Sequence, residues 1–205
     1  MGGEEPPPPR TMDLTFGSFM VPGGCRDGDE EMAMHLILGG ARSGKSTLAT
    51  RLAEASGRQV TLIVTARAED AEMATRIERH RASRPTGWQV IEEPLALGET
   101  LLRHDGADRF LVVDCLTLWL TNLLLDANPT RYQRERQALS AALNQLSGEL
   151  VLVSNETGLG VVPMGALSRQ FVDESGWLHQ ELARLADRVT LMVAGLPITL
   201  KGNTP

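Results

Sequence analysis

The segment Gly39-Gly40-Ala41-Arg42-Ser43-Gly44-Lys45-Ser46 constrains the fold of this chain more than any other stretch. It matches G-x-x-x-x-G-K-[ST], a loop that works only between a strand and a helix. Both flanks fit. Leu36-Ile37-Leu38 reads as a short buried strand, and a helix is expected from Lys45 to about Ala55, ended by Gly57. Glycine lets the backbone wrap closely around phosphate oxygens. Backbone N–H groups and the positive end of the helix attract the anion. Lys45 is expected to reach the β- and γ-phosphates, and the Ser46 hydroxyl is placed to ligate Mg²⁺. The motif implies a bound nucleoside triphosphate but does not choose between kinase, ATPase and GTPase.

Downstream, apolar strands alternate with amphipathic helices. Strands are expected at Val60–Val64, Trp88–Ile91, Phe110–Val113, Leu150–Val153 and Val189–Val193, with Pro197–Leu200 as an antiparallel edge. Helices are expected from about Glu69 to Ala82, from Pro94 onward, around Leu116–Leu124, over Arg131–Leu146 and within Leu167–Ala186. Such alternation predicts an α/β fold, P-loop NTPase-like, with a mostly parallel sheet and helices on both faces.

The length of 205 residues favours one domain over two. Residues 1–33 are set apart by Pro6 to Pro9, paired glycines and the run DGDEE, and read as a flexible extension; residues 34–205 form the catalytic domain. Met34, directly before the first strand, is a candidate true start. The net charge of −6 argues against a protein that wraps nucleic acid. No apolar run is long enough to span a bilayer. Cys25 and Cys115 form no metal-ligand or disulfide pattern, so a cytoplasmic setting is expected.

Two further features point to chemistry. Asp114 ends an apolar strand, where an acid can ligate a nucleotide-bound metal, cap the next helix, or do both at once. The stretch Arg76 to Pro85 sets four arginines around His80. Met73, Ile77 and His80 share a helix face, and Arg76 and Arg84 lie four residues to either side of the histidine. His80 is then either a core-edge histidine on a solvated basic helix or a nucleophile. Arginine forks suit phosphate oxygens, and neighbouring cations keep an imidazole neutral at pH 7. A neutral histidine could take a nucleotidyl group from a triphosphate, splitting one difficult transfer into two.

GGARSGKS, RIERHRASRP, DCLTLWLTNLL, SNETGLGVVP and ADRVTLMVAGLPITLK occur in the order seen in the bifunctional adenosylcobinamide kinase/adenosylcobinamide-phosphate guanylyltransferase family. The resemblance covers about 34–201. It implies a RecA-like P-loop domain, a homotrimer, and two reactions. In the first, ATP or GTP phosphorylates adenosylcobinamide. In the second, GMP passes from GTP to that phosphate, giving adenosylcobinamide-GDP and pyrophosphate. Gly39 to Ser46 match the family's phosphate loop, and His80 matches its GMP-carrying histidine. Arg81, Ala82, Ser83 and Arg84 match a GTP-contacting segment, as do Thr65, Ala66 and Arg67. Glu92 and Asp114 match acidic nucleotide-site positions. Some relatives carry glutamate in place of Asp114, and Asn-Gln in place of His179-Gln180. Ser154 to Pro163 follows a strand at the ligand-binding end of the sheet; Asn155 and Glu156 either face a ligand there or belong to a glycine-rich connection. The competing readings are a P-loop kinase of another small alcohol and a nucleotide switch without a small-molecule acceptor.

Overall fold

β1 (Met34–Gly39), β4 (Arg109–Asp114) and β5 (Glu149–Val153) are apolar almost throughout, because both faces of each strand are covered. In the computed structural model, which describes residues 34–67 and 87–203, they form the middle of a seven-stranded sheet with β2 (Gln59–Val64), β3 (Gln89–Glu92), β6 (Arg188–Val193) and β7 (Leu196–Lys201). The order is β3-β2-β4-β5-β1-β6-β7. Every pairing is parallel except β6 with β7. The α/β class with a mostly parallel sheet is the one the chain adopts, and the last strand is the antiparallel edge expected from the sequence.

Alternate residues of each strand feed two cores. Leu36, Leu38, Leu111, Val113, Leu150 and Leu152 face one side. There they meet α2 (Leu97–His104), α3 (Leu116–Leu124), α4 (Arg131–Leu143) and α5 (Ala166–Leu185) through Leu101, Trp119, Leu139 and Leu182. Ile37, Phe110, Val112 and Val151 face the other side, against Ala49 and Ala53 of α1 (Lys45–Ala55). Trp119 is fully buried, and its indole N–H donates to Leu95 O at 2.8 Å. Trp177 of α5, by contrast, is 58% exposed.

Several boundaries differ from the sequence reading, most by a residue or two at strand ends. The helix expected from Pro94 begins at Leu97. The Glu93 carboxylate binds the N–H groups of Leu95 and Ala96, while Trp119 and Asn122 hold the carbonyls of Leu95 and Pro94. Those tertiary bonds keep 94–96 out of the helix. The third strand lies one residue later than expected, at Gln89–Glu92. The helix from Arg131 ends at Leu143 rather than Leu146, where Asn144 turns back to Ser140 O. The helix expected over Glu69–Ala82 lies outside the described residues, as does the extension 1–33.

Among the described residues no helix is long and apolar enough to cross a membrane.

Candidate active site

The strands β1 to β5 all end on the same edge, and a ligand of an open parallel sheet sits outside these carboxyl ends. Gly39 ends β1 and opens the phosphate loop. Its backbone has φ 148°, and a Cβ there would collide with the Met192 carbonyl oxygen. Gly44 has φ 98° and lies over Met192 and Gly195, so neither position has room for a larger residue without strain. Ser43 N–H donates to Gly40 O at 3.3 Å. The β6–β7 connection is a two-residue turn, Ala194-Gly195, with φ of 51° and 82°. Such paired positive φ values match the twist of a hairpin. Gly195 N–H donates to Ser43 O at 3.0 Å, so the last hairpin braces the loop from outside.

Lys45 opens α1 with its side chain buried, and its Nζ donates to Gly40 O at 2.6 Å. Burial lowers its pKa, and the nearby Asp114 carboxylate opposes that shift. The Ser46 hydroxyl donates to Asp114 Oδ2 at 2.9 Å. A residue from the first turn of α1 thus meets the last residue of β4, across 68 positions of sequence. The capping alternative for Asp114 does not hold. Cys115 is the N-cap of α3, and no side chain caps that helix. Burial first, and then Asp114, push the Cys115 thiol up to about 11, so it stays protonated.

A hydroxyl and a carboxylate are the hard oxygen donors that Mg²⁺ takes, usually alongside substrate phosphates and waters rather than in an all-protein cage. Ser46 and Asp114 fit that donor set. Among the described residues no group of three or more His, Cys, Asp or Glu could hold a metal.

Thr65 follows β2 and is bonded on several sides at the corner next to Asp114. It is fully buried. Its hydroxyl donates to Cys115 O at 2.6 Å and accepts from Cys115 N–H at 3.1 Å. Its own N–H binds Asp114 O, and its carbonyl accepts from Asn122 Nδ2 at 2.8 Å. Thr65 clamps the corner that carries Asp114. Ala66 is half-buried and Arg67 exposed, at the end of the described segment.

Glu92 ends β3, and its Cα is in register with Val64, as is that of Asp114 on the other side of β2. Four strand spacings of about 4.8 Å separate β3 from β1, so Glu92 stands at the far end of the row from the phosphate loop. It is not brought beside Ser46. Ala41 and Arg42 are exposed on the loop's outer side, with Arg42 at φ 57°. His80, Arg81, Ala82, Ser83 and Arg84 lie outside the described residues.

A second polar group stands beside the loop, and sequence reasoning missed the part of His179 in it. Asn155 and Glu156 follow β5, and Glu156 N–H donates to Gly39 O at 3.0 Å. His179 of α5 is 7% exposed, with Nε2 2.8 Å from Ser154 Oγ. The signal was present. Ser175, Leu178, His179 and Leu182 form the inner stripe of α5 at helical spacing.

A sequence model of the family described as cobinamide kinase / cobinamide phosphate guanyltransferase matches residues 35–200. The chain is 62% identical over 168 residues to the bifunctional adenosylcobalamin biosynthesis protein CobP of Pseudomonas aeruginosa, covering 82% of this chain and 97% of that one. It is 38% identical over 181 residues to the bifunctional adenosylcobalamin biosynthesis protein CobU of Escherichia coli, covering 82% and 99%. A solved structure from Pyrococcus horikoshii, titled a structural study of Project ID PH0250, aligns over 84% of this chain and 87% of its own, with a TM-score of 0.51 and 12% identity. That last likeness is one of fold alone. The family match runs from the first strand into the last, so every strand of the sheet falls within it, and this chain belongs to the cobinamide kinase / cobinamide phosphate guanyltransferase family.

Proposed function

We propose that this chain phosphorylates adenosylcobinamide with ATP or GTP and then guanylylates the product. In the first reaction the acceptor's hydroxyl oxygen attacks the γ-phosphorus. The bond to the nucleoside diphosphate breaks, and the hydroxyl proton is released. In the second, a ring nitrogen of His80 attacks the α-phosphorus of GTP and pyrophosphate leaves. A phosphate oxygen of adenosylcobinamide phosphate then attacks the same phosphorus. The P–N bond breaks, giving adenosylcobinamide-GDP and restoring the imidazole.

The observation that carries this reading is the Ser46–Asp114 contact beside a braced phosphate loop, in a chain of this family. The loop amides and Lys45 hold the triphosphate. Ser46 and Asp114 would hold Mg²⁺, which neutralises charge developing on the phosphates. Arg81 and Arg84, with Ala82 and Ser83 between them, are assigned to the GTP beside His80. Glu92 and the Ala66-Arg67 segment are assigned to the nucleoside end, away from the loop. Thr65, which the resemblance groups with Ala66 and Arg67 as a GTP-contacting segment, also holds the corner that carries Asp114.

We also read the working form as a homotrimer. Leu159, Val161, Val162 and Met164 are 83%, 96%, 70% and 96% exposed, an apolar run that favours cover by another chain.

The test uses GTP labelled at the α-phosphorus. Wild-type protein with Mg²⁺ is expected to retain an acid-labile label after denaturation and to pass it to adenosylcobinamide phosphate. EDTA and His80→Asn are each expected to abolish the adduct. Phosphorylation of cobinamide without any adduct would leave a kinase alone. Slow hydrolysis with neither product would remove both transfer reactions.

A further inference from the structure

Behind the phosphate loop lies a buried polar array that neither reaction above uses. After β5 the chain continues its pairing with β1 for three more residues. Ser154 N–H donates to Ile37 O and Glu156 N–H to Gly39 O, each at 3.0 Å. The 154–158 turn is therefore seated on the first residue of the loop. Its side chains are held from two helices. From α3, Thr117 Oγ1 accepts Asn155 N–H at 2.7 Å and lies 3.4 Å from Ser154 Oγ. Thr117 is three residues beyond Asp114. From α5, His179 Nε2 meets Ser154 Oγ at 2.8 Å, and its Nδ1 stands 3.8 Å from Glu156 Oε2. The other Glu156 oxygen accepts Gly158 N–H at 2.6 Å.

Packing does not require an imidazole here. A leucine would extend the Leu178 and Leu182 stripe and avoid the cost of desolvating a polar ring. Burial lowers the pKa of His179, with Glu156 opposing. The neutral ring offers one donor and one acceptor. One nitrogen is matched to Ser154, and the other faces the Glu156 carboxylate from beyond hydrogen-bond distance. The ring thus holds the floor of the turn and stands beside the carboxylate of Glu156.

We propose that His179 is a positioning residue for phosphoryl transfer: through Ser154 it fixes the 154–158 turn against the phosphate loop and so sets where Asn155 and Glu156 meet the reacting end of the nucleotide. This role rests on the kinase reading above. It predicts an effect on turnover more than on nucleotide affinity, because the loop amides and Lys45 are untouched.

The test is steady-state phosphorylation of cobinamide by the full chain, with thermal melts of each variant. His179→Leu is expected to lower kcat by about 10- to 100-fold, the scale of a small misplacement near reacting atoms. Its KM for ATP should stay within about threefold of wild type. His179→Asn, whose amide can both donate and accept, is expected to recover most of kcat. Ser154→Ala should lower kcat similarly, and the double variant should add little, as for residues acting through one contact. Ser154→Ala carries the test alone if His179→Leu does not fold. A folded His179→Leu with wild-type kcat overturns the role, as does equal loss in the Leu and Asn variants. If wild-type protein makes no cobinamide phosphate, the kinase reading itself fails, and this role falls with it.

Discussion

Thr65→Val tests whether Thr65 serves the nucleotide or the corner that bears Asp114. Valine has nearly the shape of threonine, so the change removes a hydroxyl and little else. In the wild type that hydroxyl bridges both backbone groups of Cys115, at 2.6 and 3.1 Å. The Cys115 carbonyl keeps a second partner, since Trp119 N–H donates to it at 3.3 Å in the first turn of α3. Cys115 N–H is left without this partner in a fully buried setting, which costs about 1–3 kcal/mol. Losing the O–H to carbonyl bond adds roughly 0.5–1.5 kcal/mol. A net loss of about 2–3 kcal/mol is expected. With an m-value near 2 kcal/mol/M, the urea midpoint should fall by about 1 M. Thr65→Ser keeps the hydroxyl and loses one methyl, a loss of roughly 1 kcal/mol, and should lie between wild type and valine. Tryptophan fluorescence would follow the transition, since Trp119 packs beside this corner. A midpoint unchanged within about 0.2 M, together with a raised KM for GTP, would refute the clamp and return Thr65 to direct nucleotide contact.

His35 offers a pH test. It is fully buried on β1 with Nε2 2.8 Å from Thr190 Oγ1; burial, and then Arg188, lower its pKa to about 4. The folded value lies below the unfolded one, so the unfolded chain binds the proton first. Stability from this group is complete above about pH 6.5 and falls toward pH 4, by roughly 3 kcal/mol in all. Urea midpoints for wild type and His35→Gln between pH 7.5 and 4 should therefore diverge, with the wild type losing more; parallel curves would exclude the effect. Sedimentation equilibrium checks the assembly: a mass of three chains is expected, and a stable monomer or dimer would remove the trimer.

Much of the site was legible in the sequence because its parts are local. A strand, a glycine turn and a helix start are contiguous, and each rests on short-range physics: φ freedom, orphan N–H groups and the helix dipole. Apolar runs bounded by turn residues gave the strands and the sheet class for the same reason. Helix starts were less legible, since the delay from Pro94 to Leu97 depends on Trp119 and Asn122, more than twenty residues away.

What only the tertiary structure decided is which long-range partner each polar group takes. Asp114 could have capped α3 or joined the phosphate loop, and both suit its place at a strand end. The crossing of α1 over β4 chose Ser46. The resemblance marked Thr65 as a nucleotide contact, and only the fold shows its hydroxyl bonded to Cys115, because β2 and β4 are neighbours in the sheet. His179 looked like one residue of an amphipathic helix until α5 laid it on Ser154. Hydrogen bonds satisfy buried groups wherever the fold delivers a partner, and sequence spacing carries no record of which partner that will be.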